Sequence, residues 1–125
     1  MRRPHPTLTP QELAIMKELW ALDEATVRDI FERLRRVRPI AYTTVLTMMK
    51  VLEQKGYVRK TLVDRAHVYK PSRPRQQVVG AMVRDFVERV FDGASRPLLV
   101  HLVKDTRLTD KQRAAILRLI DEAEP

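Results

Sequence analysis

The 125 residues include no cysteine, only three histidines and only three glycines. Each shortage excludes some chemistry. Without a thiol there is no disulfide, no thiolate metal ligand and no cysteine nucleophile, and three histidines leave little from which to build a zinc site. No glycine-rich phosphate loop and no serine nucleophile signature is present, and the carboxylates are scattered along surface faces. An enzyme is therefore not expected, and no cofactor or metal is implied. No apolar run approaches the roughly 18 residues that a spanning helix needs, so no membrane partner is expected. The amino terminus, Met1-Arg2-Arg3-Pro4-His5-Pro6, starts basic but has no apolar stretch or small-residue cleavage site behind it. The expected location is the cytoplasm.

Acidic residues are also in deficit, with 16 Asp and Glu against 24 Lys and Arg, a formal net charge of +8 and a pI near 10.3. Such an excess suggests a polyanionic partner, because clustered Lys and Arg displace counterions condensed on phosphates. Solubility alone is the competing explanation. The distribution argues against it: residues 1–72 carry 14 basic and 8 acidic side chains, and residues 73–125 carry 10 and 8. With 44% hydrophobic residues the chain has material for a core. The expected organisation is one domain over 1–72 with an appended segment over 73–125.

Thr9-Pro10-Gln11-Glu12 is a helix start, with Thr9 as cap, Pro10 at the first helical position and Glu12 completing a capping box. The first helix should run to about Trp20, with Leu13, Ile15, Met16, Leu19 and Trp20 on one face. A second, capped by Thr26, has Val27, Ile30, Phe31 and Leu34 on one face and ends in Arg33, Arg35, Arg36 and Arg38. After Pro39 a third spans about Ala41 to Lys55 and stops at Gly56. Tyr42, Val45, Met48, Met49 and Leu52 form its expected buried stripe. Thr43, Thr47, Lys50 and Gln54, at i, i+4, i+7 and i+11, form a second stripe of short polar and basic side chains. Tyr57 to Val63 and His67 to Lys70, joined through Asp64-Arg65-Ala66, read as a β-hairpin. Beyond Pro71–Pro74, Arg75 to Phe91 reads as a long helix, Leu98 to Val103 as a short apolar one, and Thr109 to Gln112 as a capping box opening a last helix.

Three helices followed by a hairpin is the order of a winged helix, in which the third helix enters the major groove and the hairpin lies along the backbone. The expected fold class is mainly α with a small β-hairpin wing, followed by a helical dimerisation region. The second stripe suits the reading role. Threonine hydroxyls bond to base edges or phosphates, their methyls touch the thymine methyl, and Lys50 reaches phosphate or guanine acceptors. Arg35, Arg36 and Arg38 on one side, with Arg59, Lys60, Arg65, His67 and Lys70 on the hairpin, suit phosphate contacts that position such a helix. A solvated surface is the plain alternative for any single one of these residues.

Leu8 to Glu12, Ile15 to Trp20, Ala25-Thr26-Val27-Arg28, Ala41-Tyr42-Thr43-Thr44-Val45-Leu46-Thr47, Leu52 to Val58 and the hairpin Asp64 to Pro71 together resemble the penicillinase-repressor (BlaI/MecI/CopY) family. The resemblance covers about residues 8–122. It implies a dimeric transcriptional repressor bound to operator DNA with TACA and TGTA half-sites, one for each subunit. It implies Thr43, Thr44, Thr47 and Lys50 as reading-helix contacts and Arg65 with its hairpin neighbours, His67 among them, as the wing, while Arg38 is a candidate from the basic rim alone. Induction departs from the family pattern. The copper-responsive branch uses carboxyl-terminal cysteines, which this chain lacks, and the β-lactam-responsive branch is cut by a membrane sensor-protease at an Asn-Phe bond, where this chain has His101-Leu102. An inactivating protease as partner would need a different specificity.

The carboxyl-terminal segment points to self-association on separate grounds. It is too short for a secure core, yet its three amphipathic helices have apolar faces to cover. Val79, Val83, Phe86 and Val90 recur at alternating four- and three-residue steps, a coiled-coil-like seam, with Leu98, Leu102, Ile116 and Ile120 as further candidates. His101 and Asp105 sit four apart and suit a hydrogen-bonded pair better than a metal site. His67 on the wing can bond to DNA when neutral and contact phosphate when protonated. His5 is expected in a disordered tail. A competing function, from another class, is a winged-helix protein-interaction module or nonspecific nucleic-acid binder.

Overall fold

The computed structural model describes residues 8–105 and 107–123, with side chains through Arg118. His5 and the Ile120 side chain lie outside the described residues. The chain divides into two units, Met1–Val78 and Val79–Pro125.

In the first unit, α1 (Pro10–Leu22) starts at Thr9, whose hydroxyl accepts from Glu12 N at 3.1 Å while the Glu12 carboxylate accepts from Thr9 N at 2.9 Å. Two orphan amides are thereby satisfied. Thr26 and Asp29 repeat the arrangement at the start of α2 (Val27–Leu34). No side chain caps α3 (Tyr42–Gln54) at Ala41, and its end passes through Gly56 at a φ of +84°, where an L side chain would be strained. The hairpin pairs β1 (Val58–Val63) with β2 (Ala66–Pro71), antiparallel, from Val58 opposite Pro71 to Val63 opposite Ala66. Ala25 and Tyr69 exchange both backbone hydrogen bonds, at 3.0 and 2.8 Å, which ties the base of the hairpin to the α1–α2 turn.

The core of this unit lies where the apolar faces meet. Ile15, Met16 and Leu19 of α1, Ile30 and Leu34 of α2, and Val45, Met49 and Leu52 of α3 are buried, closed off by Val58 and Tyr69. Each such side chain contributes about 1.5 to 3 kcal/mol by leaving water. The expected α3 stripe is narrower than the spacing suggested. Tyr42 is exposed, set edge-on against Phe31 at 5.5 Å, and Met48 is only half-buried. At 100° per residue both fall about 60° either side of Val45, beyond the arc that Met49 and Leu52 share with it.

Glu12 is the buried charged residue of this core, 3% exposed, and Lys55 at the end of α3 donates to both its carboxylate oxygens at 2.9 and 3.1 Å. The pair fastens the two ends of α1 and α3 together. Lys55→Ala would leave the carboxylate with only the Thr9 amide, so a loss of about 1 to 2 kcal/mol is expected in urea unfolding. A midpoint equal to that of the unsubstituted protein would show that the pair holds nothing.

The second unit takes α4 (Arg75–Phe91) from Val79 onward, with α5 (Ser95–Val103) and α6 (Asp110–Ala123). Gly93 N bonds to Val87 O at 3.1 Å with a φ of +86°, a glycine stop. Thr109 and Gln112 form the cap of α6, and Arg113 reaches back to the carbonyls of Val103 at 2.7 Å and Asp105 at 2.9 Å. The expected His101–Asp105 pair does not form. Asp105 instead accepts from the backbone and guanidinium of Arg107, and His101 lies beside Phe91 at 5.9 Å between ring centres. Three hydrogen bonds from the amide and guanidinium of one residue outweigh the single one an imidazole could offer this carboxylate. Arg107 holds Asp105 below the ordinary carboxylate range. This support is present above the unfolded-state pKa and is lost progressively as pH falls from there through the lowered folded value.

Candidate nucleic-acid interface

Thr43, Thr47, Lys50 and Gln54 are all exposed along one side of α3. The polar stripe expected from their spacing is thus a continuous solvent-facing strip, opposite the buried Val45, Met49 and Leu52. Thr44 differs. It is half-buried, and with Thr43, Thr47, Met48 and Gln11 it lines a shallow hollow beside the strip.

The basic rim is smaller than a count of its charges. Lys60 pairs with Glu53 at 3.8 Å, Lys70 with Glu24 at 3.6 Å and Arg35 with Glu32 at 3.5 Å, while Arg59 donates to Pro71 O at 3.3 Å. These cations are partly spent on the protein's own acids and carbonyls. Arg36, Arg38, Lys50 and Arg65 are exposed and make no ion pair among the described residues. They are the members of the rim whose charge is fully open to an external anion.

The wing tip is a two-residue turn in which Asp64 and Arg65 have φ of 48° and 67°. A turn positive at both central residues matches the right-handed twist of a hairpin, and glycine or asparagine is the usual choice. Arginine in that conformation costs about 1 kcal/mol. The turn, between Val63 and its partner Ala66, places the exposed Arg65 cation at the tip of the wing despite that cost. Leu62 and Val63 are exposed beside it, 67% and 49%.

His67, exposed on β2, lines a second hollow together with Thr26, Val27, Arg28, Tyr42, Leu46, Ala66 and Tyr69. The Arg28 guanidinium stands 5.2 Å from the Tyr42 ring centre in the same hollow. Burial, with Glu53 nearby, pushes the Tyr69 hydroxyl above its ordinary range and keeps it neutral. Arg28 was not singled out by its sequence position. Its clue was its place in the first turn of α2, where a cation is out of step with the helix dipole.

In the second unit, Val79, Val83, Phe86 and Val90 are exposed by 36, 49, 40 and 52%, and Leu102 by 38%. Leu98 and Ile116 are half-buried. Val87, off the expected seam, is the α4 residue of this unit that is buried. Val100 and Leu117 are exposed apolar positions that the spacing had not picked out. Among the described residues no group of three or more potential metal ligands gathers, and no helix is long and apolar enough to cross a membrane.

Residues 8–122 match the family model described as penicillinase repressor. Two Mycobacterium tuberculosis proteins, from strains CDC 1551 / Oshkosh and ATCC 25618 / H37Rv, are each named transcriptional regulator BlaI. Both are 36% identical to this chain over 115 residues, covering 90% of it and 82% of their own length. The solution structure of the DNA-binding domain of the repressor BlaI superposes with a TM-score of 0.52 at 23% identity, over 59% of this chain and 90% of that one. That likeness shows a shared fold. With a match over nearly its whole length, this chain belongs to the penicillinase repressor family, and it is a winged-helix, DNA-binding transcriptional regulator rather than an enzyme.

Proposed function

We propose that the protein is a homodimeric, cytoplasmic repressor that occupies an inverted-repeat operator with TACA/TGTA-like half-sites and blocks transcription by covering the promoter. Thr43, Thr44, Thr47 and Lys50 on α3 read base edges, Thr44 more from the side than the others. Arg38, Arg65 and His67 hold the flanking phosphates. The observation that carries this reading is the exposed Thr43, Thr47, Lys50 strip with the open cations Arg36, Arg38 and Arg65 around it. Short polar side chains on the strip can approach bases, and the cations add affinity without choosing sequence.

Pairing of two chains is supported by the apolar positions left in water on the second unit, Val79, Val83, Phe86, Val90 and Leu102, with Leu98, Ile116 and Ile120 completing the interface. A two-fold dimer matches a two-fold operator. An inactivating protease, if one acts here, would cut near His101-Leu102 on α5 and would need a specificity other than Asn-Phe.

The test is binding to the upstream promoter against a shuffled duplex at physiological salt, with the mass of the complex read in the same experiment. About a hundredfold preference, which is about 2.7 kcal/mol, with two chains per duplex is the expected result. Equal binding to both duplexes would favour a nonspecific module and overturn the operator reading.

A further inference from the structure

Tyr42 and Arg28 serve neither the core nor the polar strip of α3. Tyr42, the first residue of α3, stands 37% exposed although its spacing suits the core, and Arg28 puts a cation into the first turn of α2, where the positive end of the helix dipole disfavours it. The two side chains meet. The Arg28 guanidinium lies 5.2 Å from the Tyr42 ring centre, the Tyr42 ring is set edge-on to Phe31 at 5.5 Å, and the Arg35 guanidinium stands 5.5 Å from the Phe31 ring centre. Among the described residues Glu32 is the acid that pairs with this row, at 3.7 Å from Arg28 and 3.5 Å from Arg35, so two cations share one anion and a positive charge remains. Arg28 lines the hollow bounded by Tyr42 and Leu46 on the flank of α3, by the exposed His67 and the buried Tyr69 on β2, and no carboxylate lines it. Leu46 lies one turn before Lys50 on the same side of α3, so the hollow borders the solvent-facing strip on the side of the wing. A duplex backbone that flanks α3 and touches the wing crosses this gap.

We propose that Arg28 is a contact to a DNA backbone phosphate in the gap between the reading helix and the wing, and that Tyr42 is the positioning residue that holds its guanidinium there. This inference rests on the reading of α3 as the helix that faces DNA. An aromatic ring holds a cation through its face and takes none of its N–H donors, so Arg28 keeps its planar fork for the oxygens of a phosphate. A long side chain loses rotamer freedom when it binds, and one already held against a ring has less to lose. The contact adds affinity without choosing sequence.

The experiment titrates the full chain with the promoter duplex and with the shuffled duplex at several salt concentrations. The variants are Arg28→Ala, Arg28→Lys, Tyr42→Phe, Tyr42→Leu and the double variant Arg28→Ala with Tyr42→Leu, each checked for its helical content by circular dichroism. Arg28 is exposed, so its removal leaves the core intact. Arg28→Ala is expected to weaken binding to both duplexes by about three- to tenfold and to lower the slope of log affinity against log salt by about 0.9, the release belonging to one phosphate. Arg28→Lys keeps the charge and is expected to restore the slope. Tyr42→Phe keeps the ring and is expected to bind as before. Tyr42→Leu is expected to weaken binding about two- to threefold in the otherwise unsubstituted chain and to add nothing to Arg28→Ala. A packing role of Tyr42 alone would persist without Arg28, which separates positioning from folding. A folded Arg28→Ala that keeps both the affinity and the salt slope overturns the phosphate contact. Equal losses from Tyr42→Leu with and without Arg28 overturn the positioning role. Failure of the operator reading looks different: the two duplexes then bind alike in every variant, while the slope change on shuffled DNA still decides the role of Arg28.

Discussion

Phe86→Asp is expected to separate the proposed dimer into single chains and to weaken operator binding by about 10² to 10⁴-fold. Phe86 lies at the middle of the exposed run Val79, Val83, Phe86, Val90, and its ring packs edge-on against Phe91 at 6.0 Å. Two such faces pressed together would remove these side chains from water and gain about 25 cal/mol for each Å² of apolar surface covered. A carboxylate at the centre of that contact would have no partner, and an unpaired charge in an apolar interface costs several kcal/mol. Once apart, each chain holds one half-site and loses the local concentration supplied by the other. Sedimentation gives the mass, and a titration of operator duplex gives the affinity. Val90→Asp, at the more exposed end of the run, should act in the same direction and more weakly. An unchanged mass for Phe86→Asp would contradict pairing through this face.

Thr43→Ala combined with Thr47→Ala is expected to lower operator affinity by about 2 to 4 kcal/mol while leaving affinity for shuffled DNA nearly unchanged. Both residues are exposed on α3 and outside the core, so the loss would come from the DNA contact and not from the fold. The contrasting substitution is Arg65→Gly. Glycine adopts the positive φ of 67° at that position without strain, so the hairpin should be no less stable. Removing the cation should weaken operator and shuffled DNA alike and reduce the slope of affinity against salt by about one counterion. Equal losses for the threonine pair on both kinds of DNA would remove base reading from α3. A salt slope unchanged by Arg65→Gly would remove the wing tip from the phosphate contacts.

The three capped helix starts were legible in the sequence, whereas α5, which has no side-chain cap, begins at Ser95, three residues before the expected Leu98. Thr9 with Glu12, Thr26 with Asp29 and Thr109 with Gln112 all make the reciprocal cap, because that motif is satisfied by bonds spanning three residues and needs nothing from elsewhere in the fold. The exposed strip on α3 was legible for a similar reason: helical period alone decides which residues share a side. Ends were less so, and α1 runs on to Leu22 past the expected Trp20 before Asp23 turns the backbone.

Sequence by itself determined the order of elements, the polar strip of the third helix, the excess of cation in the first 72 residues and the exclusion of thiol chemistry. Local periodicity, capping and composition carry that information. Tertiary structure decided which charges remain available. Lys60 and Lys70 find Glu53 and Glu24, whereas Arg36, Arg38, Lys50 and Arg65 find no acid among the described residues. It also decided that Tyr42 stays outside the core, that Asp105 turns to Arg107 and not to His101, and that Trp20 reaches Arg73. Each of these depends on distances between atoms far apart in the chain or on the exact path of a turn, and neither residue type nor spacing along the sequence encodes such distances.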